Sequence, residues 1–377
     1  MTLKERNQAN DIITVSLFSG AGGLDIGAIN AGAHIVFAND MMKEACMSYK
    51  VNIGEHITQG NINEIIENFP SIDDADLLIG GPPCQGFSVA GKMDANDHRS
   101  QLIWSYLKVL SIVKPKAFIM ENVKALGALE KWKPVREKLM SEMRALGYSV
   151  NFMILNASDY DVPQARERIF VVGIKGDSKQ IPNWQLMIKD YAKKAPTVRE
   201  ALSVLDRAGE GNNTGTCKAK ITLAANPIMR KSPYAGMLFN GLGRPTKIDG
   251  YSATLPASMG GNKTPIIDEK ELYEGQEAWI KGYHEKISQD ITLAKFQDAP
   301  PFLRRMTVEE AAVLQTFPLD YDFQGSQSSK YTQIGNAVPC NLAKAVVSMV
   351  VDILRNNKPI AYCGIERSLF DSYEESI

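Results

Sequence analysis

The chain has 377 residues, 44% hydrophobic and 23% charged, with 29 Gly and 18 Pro. That composition excludes disordered, collagenous and small disulfide-stapled classes and leaves ample chain for one large core or two smaller ones. Its 42 Lys plus Arg against 43 Asp plus Glu give a net charge of -1, so a protein that binds polyanions by bulk charge is excluded, and any nucleic-acid contact must come from a local patch.

Cys46, Cys84, Cys217, Cys340 and Cys363 stand without a C-x-x-C pair, and His34, His56, His98 and His284 are as scattered. A reduced, intracellular chain without a zinc site is expected. The stretch MTLKERNQANDIIT is too polar for a signal peptide, and the longest apolar tract, Asn341 to Leu354, is interrupted by Lys344, Ser348 and Asp352 and is too short for a bilayer. The expectation is a soluble cytoplasmic protein with no membrane partner.

In chain order, Ile13 to Phe18, His34 to Ala38, Asp76 to Ile79 and Ala117 to Met120 read as strands, each followed by an amphipathic helical pattern. Such alternation predicts βαβ units and a parallel sheet covered by helices, an α/β class. Ser149 to Leu155 and Arg168 to Ile174 then read as two strands joined by NASDYDVPQARE, a hairpin-like sheet edge. From about 176 to 300 the alternation gives way to Gly, Pro, Asn and Lys, as in a second domain or large insertion. Helices are expected at Thr307 to Gln315, with Thr307 as N-cap and Glu310 at N3, and at Asn341 to Leu354. The division is therefore 1–175, 176–300, and a return to the first domain over 301–377.

Ligands of an open parallel sheet bind outside the carboxyl ends of its strands, so the residues just past each strand carry the information. Past the first lies Phe18-Ser19-Gly20-Ala21-Gly22-Gly23-Leu24-Asp25, a glycine turn without the third glycine of a dinucleotide fingerprint and without a P-loop lysine. It suits a nucleoside cofactor lacking a pyrophosphate, or a plain strand-to-helix turn. Asp40 ends the second strand, where a carboxylate can accept from ribose hydroxyls. Gly80-Gly81-Pro82-Pro83-Cys84-Gln85-Gly86-Phe87-Ser88 fixes the backbone and projects one cysteine, a nucleophile if basic neighbours favour the thiolate. Glu121, in Met120-Glu121-Asn122-Val123, sits behind an apolar strand where partial burial would let it donate a proton. Arg166 and Arg168, in Gln164-Ala165-Arg166-Glu167-Arg168, would face the same way in an extended segment. Between Lys218 and Lys247 lie six basic residues and no acidic one, beside Tyr234 and Phe239, either a solvated loop surface or a surface that follows a nucleic-acid backbone.

Taken together, FSGAGGLDIG, Asp40, GGPPCQGFS, ENV, QARER, RRMTVEEAAVLQTFP (Arg304 to Pro318) and GNAVP (Gly335 to Pro339) resemble, in order, the cytosine-C5 methyltransferases, enzymes that use S-adenosylmethionine to methylate cytosine in DNA. The resemblance implies a Rossmann-like methyltransferase sheet with a smaller, irregular target-recognition domain at 176–300, where TLPASMGGNKTPIID also looks family-like. It makes Cys84 the nucleophile, Glu121 the carboxyl on N3 and the exocyclic amine of the cytosine, and Arg166 and Arg168 the residues that orient the base. Phe18, Ser19, Gly20, Gly22, Gly23, Asp40, Met41, Asn61, Ile62, Pro82, Leu102, Asn336 and Val338 would surround S-adenosylmethionine. Asn61 departs from the aspartate many members place near the adenine. Ser88 and Arg99, in a mobile lid over Ser88 to Gln101, and Lys218, Lys220, Arg230, Lys231 and Arg244 would contact DNA.

The implied reaction explains the residue types. A thiolate adds to C6, protonation at N3 stabilises the enamine, C5 takes the methyl group, and loss of the C5 proton expels the cysteine. The base must leave the stack to be reached. The expected setting is a bacterial or phage protein, monomeric, on double-stranded DNA, with a cognate restriction endonuclease for the same site. Methylation of tRNA by a similar catalytic set is the competing enzyme reading, and a silent DNA reader is the competing reading from another class.

Overall fold

The computed structural model describes residues 11–83 and 102–363. These residues form two compact units, 11–83, 102–156, 167–193 and 340–363 making the first and 157–166 and 194–339 the second.

The first unit begins with β1 (Ile12–Leu17), α1 (Gly23–Asn30), β2 (Ala33–Asp40), α2 (Lys43–Asn52), β3 (Ile57–Gln59), α3 (Ile62–Ile65) and β4 (Leu77–Gly80). It continues with α4 (Leu102–Val113), β5 (Ala117–Val123), α5 (Lys124–Ala128), α6 (Lys133–Ala145) and β6 (Tyr148–Asn156). After β7 (Gln164–Ala165), which belongs to the second unit, β8 (Glu167–Lys175) and α7 (Trp184–Met187) return to the first.

The second unit holds α8 (Val198–Leu202), β9 (Leu223–Ile228), β10 (Met237–Phe239), β11 (Ser252–Ala253), β12 (Ile266–Asp268), α9 (Glu269–Glu274), α10 (Trp279–Gln289), β13 (Leu303–Arg305), α11 (Val308–Leu314) and α12 (Gln327–Asn336). The last helix, α13 (Cys340–Leu354), belongs to the first unit.

Seven strands make one sheet in the order β3-β2-β1-β4-β5-β8-β6. The first five run parallel, as the βαβ alternation requires. β8 pairs antiparallel with β5 and with β6, forming the hairpin-like edge. Because side chains alternate along a strand, Val15 and Leu17, Phe118 and Met120, Val150 and Phe152, and Ile169 and Val171 share one buried cluster with Ile103, Tyr106 and Val109 of α4 and Leu139 and Met143 of α6. Tyr106 reaches through that layer, its hydroxyl donating to the carbonyls of Leu78 (3.2 Å) and Ile119 (3.1 Å), so one side chain ties β4 to β5. α13 buries ten residues and packs on α1. The segment Gln327–Leu354 has a length and apolarity that could cross a membrane, longer than the tract read from the sequence, but 67% of the apolar window is buried inside the protein.

Three expectations need revision. Residues 301–339 pack with the second unit rather than returning to the first, and the return begins only at Cys340. The cause is visible in α11, whose capping box of Thr307 and Glu310 forms as expected while Arg304 is held by Glu269 (2.7 Å) and Glu310 (2.6 Å) of that unit. The loop between β6 and β8 also contributes residues 157–166 to the second unit, through pairing of β7 with β11. Strand β5 runs on to Val123, past the expected end at Met120, because β8 continues the ladder with Phe170 opposite Glu121 and Arg168 opposite Val123.

Candidate active site

The turn after β1 is held in a conformation few residues adopt. Phe18 (φ 55°), Gly20 (φ 54°) and Gly22 (φ 81°) all lie in the left-handed region, which costs a non-glycine residue about 1 kcal/mol or more. A side chain at Gly22 would also collide with Ile53 and Tyr49 of the α2 layer. The Ser19 amide donates to the Asn39 carbonyl (3.0 Å), and the Gly22 amide to the Ser19 carbonyl (2.8 Å). Asp40 closes the turn from β2: one carboxylate oxygen accepts from the Gly20 amide (2.8 Å) and the other from the Met42 amide (2.7 Å). Burial raises its pKa, and those backbone donors work against the rise.

Ionised, that carboxylate has room for about four hydrogen bonds; the amides of Gly20, Met41 and Met42 bear on it, and the remaining capacity can meet a ribose hydroxyl. Met41 is 73% exposed beside it, an apolar plate for a base. A Cβ on Gly20 would meet no atom within 4 Å. The donor set and the open face of the turn fit a nucleoside cofactor. Asn61 caps α3, its side-chain oxygen accepting from the Asn63 amide (3.1 Å), while the Asn63 side chain accepts from Ser105 of α4 (2.6 Å). That cap uses one of the two acceptor sites of the Asn61 side-chain oxygen. Ile62 is buried, and Leu102 packs against the core.

Asp25 stands where a dinucleotide fingerprint has its third glycine, and it is fully buried. The Tyr49 hydroxyl donates to it (2.9 Å) and in turn meets Nε2 of His56 (3.1 Å). Burial pushes the Asp25 carboxyl up to about 7, with the Asp40 charge adding a little to the rise. The sequence marked Asp25 only as a departure from the dinucleotide pattern. Acid in place of glycine at the start of a buried helix was the available signal for this network.

At the next strand ends, Glu121 on β5 pairs with Arg168 on β8, Oε1 to Nε at 2.9 Å, with side chains only 12% and 15% exposed. The other carboxylate oxygen lies toward Gly81, where a Cβ would come within 3.0 Å of it. Asn122 is buried, its Nδ2 donating to the Pro82 carbonyl (3.1 Å) and its Oδ1 accepting from the Val123 amide (2.8 Å). The two residues of the ENV motif thus divide the work: Glu121 offers a carboxylate held by a guanidinium, and Asn122 anchors the Gly-Pro-Pro turn. Cys84, Ser88, Arg99 and the expected lid lie outside the described residues. Burial raises the thiol of Cys46 to about 12 and raises that of Cys340 further, so both pack as small apolar groups.

The profile of the family described as C-5 cytosine-specific DNA methylase matches residues 12–352 of this chain. The chain belongs to that family. Type II methyltransferase M.NgoFVII of Neisseria gonorrhoeae is 32% identical over 350 residues, covering 90% of this chain and 87% of that protein. Type II methyltransferase M.FnuDI of Fusobacterium nucleatum is 30% identical, covering 95% and 99%. In fold, the chain is similar to the S. pombe Dnmt2 methyltransferase, with a TM-score of 0.63 at 20% identity over 93% of this chain and all of that one.

The two arginines of the family's QARER motif do not present themselves alike. Arg168 holds Glu121 in the first unit. Arg166 is 2% exposed in the second, where its guanidinium donates to the carbonyls of Leu255 (3.2 Å), Gly335 (3.1 Å) and Ala337 (3.0 Å). Gln164 works in the same place, donating to Gln315 Oε1 (3.1 Å) and accepting from the Leu255 amide (3.0 Å). The expectation for one extended segment does not apply, because Arg166 falls between β7 and β8, in the second unit, and Arg168 lies within β8, in the first.

Asn336 is exposed and Val338 buried, both in the second unit. Lys218, Lys220, Arg230, Lys231 and Arg244 are all exposed on that unit, Lys220 paired with Asp298 (2.8 Å).

Proposed function

We propose that this chain carries out its family's reaction, methyl transfer to C5 of a cytosine in duplex DNA, through a covalent adduct of Cys84 with C6 of a flipped-out base. The observation that carries the assignment is the Glu121–Arg168 pair beside a Gly-Pro-Pro turn anchored by Asn122.

In this reading the Cys84 thiolate forms the bond to C6 while Glu121 holds the proton at N3 and accepts from the exocyclic amine. Arg168 keeps that carboxylate in one orientation, and Arg166 acts as a positioning residue for the loops around Leu255 and Gly335. S-adenosylmethionine, when bound, supplies an electrophilic methyl group and leaves as a thioether. Asp40 would take its ribose hydroxyls, with the turn Phe18 to Gly23 beneath and Met41 against the base. Loss of the C5 proton to a base then returns the electron pair that expels Cys84.

The second unit is read as the recognition domain, contacting the groove around the target. The setting is a bacterial or phage restriction-modification system with a cognate endonuclease, the enzyme acting as a cytoplasmic monomer on DNA.

The test is incubation with methyl-labelled S-adenosylmethionine and, separately, duplex DNA or tRNA, followed by base-resolution mapping of 5-methylcytosine. Label at one short recurring DNA sequence is expected. Label in tRNA alone refutes the DNA reading, and wild-type turnover by Cys84→Ser refutes the covalent route.

A further inference from the structure

A carboxyl sealed inside the first unit is connected to the glycine turn by hydroxyls. Asp25, in the first turn of α1, is fully buried. Its Oδ1 accepts from the Tyr49 hydroxyl (2.9 Å), which stands 3.1 Å from Nε2 of half-buried His56. Its Oδ2 is buried and makes no hydrogen bond among the described residues. Three other elements bring groups to bear on it: Ser16 of β1, whose hydroxyl favours the charged form, the Asp40 carboxyl of β2, which opposes it, and the buried Cys340 thiol of α13. Burial and the nearby His34 hold His56 below the ordinary imidazole value, so none of these neighbours brings a fixed positive charge.

An ionised carboxylate with one oxygen unpartnered in a dry interior is costly, and a positive charge arriving nearby offsets that cost. The turn is where such a charge would arrive. The Ser16 hydroxyl meets the Ser19 hydroxyl (2.9 Å) within Phe18 to Gly23, and Asp40, which accepts from the Gly20 amide, is near enough for its charge to act on Asp25. Tyr49 and His56 give the buried proton a way out, since the hydroxyl can take it from the carboxyl while passing its own to the imidazole.

We infer that Asp25 gives its proton to solvent when S-adenosylmethionine occupies the glycine turn, and takes one back once the methyl group, and with it the sulfonium charge, has gone. The ionised carboxylate left behind favours the cationic cofactor, whereas the product, S-adenosylhomocysteine, is a neutral thioether at the same atom. The inference rests on the proposed cofactor reading and adds to it a residue that acts through the turn and distinguishes substrate cofactor from product by charge.

The experiment is titration calorimetry of the full chain with S-adenosylmethionine and, separately, S-adenosylhomocysteine, from pH 6 to pH 8 in buffers of high and low ionisation enthalpy. With Asp25 lowered by the cation from about 7 to about 6, affinity for S-adenosylmethionine should be about fivefold weaker at pH 6 than at pH 8, with about half a proton released near pH 6.5. S-adenosylhomocysteine should show little of either, so the ratio of the two affinities changes with pH. Asp25→Asn should abolish the release and flatten that ratio. Tyr49→Phe, which removes a donor to the carboxylate, should move the release to higher pH, and His56→Gln should leave it in place. Release that persists in Asp25→Asn, carried by Asp40 or His56, overturns the inference while leaving the cofactor reading intact, as does equal release with both ligands. Wild-type protein that binds neither ligand overturns the cofactor reading and the inference with it.

Discussion

Replacing Asp25 with asparagine isolates the cost of a buried carboxylate at the start of α1, just past the glycine turn. In the native state burial raises this group from the ordinary 3.8 to about 7. A carboxyl with a raised native pKa holds its proton more tightly folded than unfolded, so its contribution to stability is fully present below pH 3.8. That contribution is lost as pH rises and reaches its full deficit above pH 7. At about 1.4 kcal/mol per tenfold change in proton affinity, the whole loss is about 4 kcal/mol, of which about 2.5 falls between pH 5 and pH 8. Asparagine keeps an oxygen for the Tyr49 hydroxyl but does not titrate. Its buried amide brings a fixed cost of about 1 kcal/mol for any N–H left without a partner, and that cost is independent of pH. The quantity to measure is therefore the difference between Asp25→Asn and wild type, by urea unfolding at pH 5 and pH 8. The variant should gain about 2.5 kcal/mol relative to wild type across that interval. Parallel stability curves for the two proteins would refute the reasoning.

Three further outcomes follow from the same geometry. Arg168→Ala should lower kcat by about a hundredfold or more, because Glu121, the carboxylate proposed to meet the base, loses its fixed orientation. S-adenosylmethionine affinity should hold and Arg168→Lys should recover part of the rate; an unmoved kcat argues against the pair. Gly81→Ala should leave the fold intact but press on Glu121 from 3.0 Å, costing about tenfold in kcat with little change in DNA affinity. Steady-state kinetics at saturating DNA would show it, and a wild-type kcat would count against the placement of Glu121. Thr307→Ala removes the capping box of α11 and should destabilise the protein by about 1 to 2 kcal/mol. A denaturation shift under about 0.5 kcal/mol would mean that Glu310 and Arg304 hold that end without it.

What the sequence by itself determined is local. Alternating β-branched runs placed β1, β2, β4 and β5 within a few residues, since a buried parallel strand has to be apolar. The glycine turn, the Gly-Pro-Pro turn, the Glu-Asn pair and the Thr307 cap were legible because each depends on neighbours a few residues away. Where β5 ended was not legible, because its last turn is held by β8, more than forty residues on. Nor was the fate of Arg166 and Arg168, identical in type and two positions apart. Carbonyls of Leu255, Gly335 and Ala337 claim one, and Glu121 claims the other. Asp25 read as a missing glycine until Tyr49 closed over it. The basic run at 218–247 was visible as charge, while the pairing of Lys220 with Asp298, almost eighty residues on, was not. Local chemistry is written in consecutive residues, whereas burial, ion pairing and the shape of a cleft depend on which distant segments the core brings together.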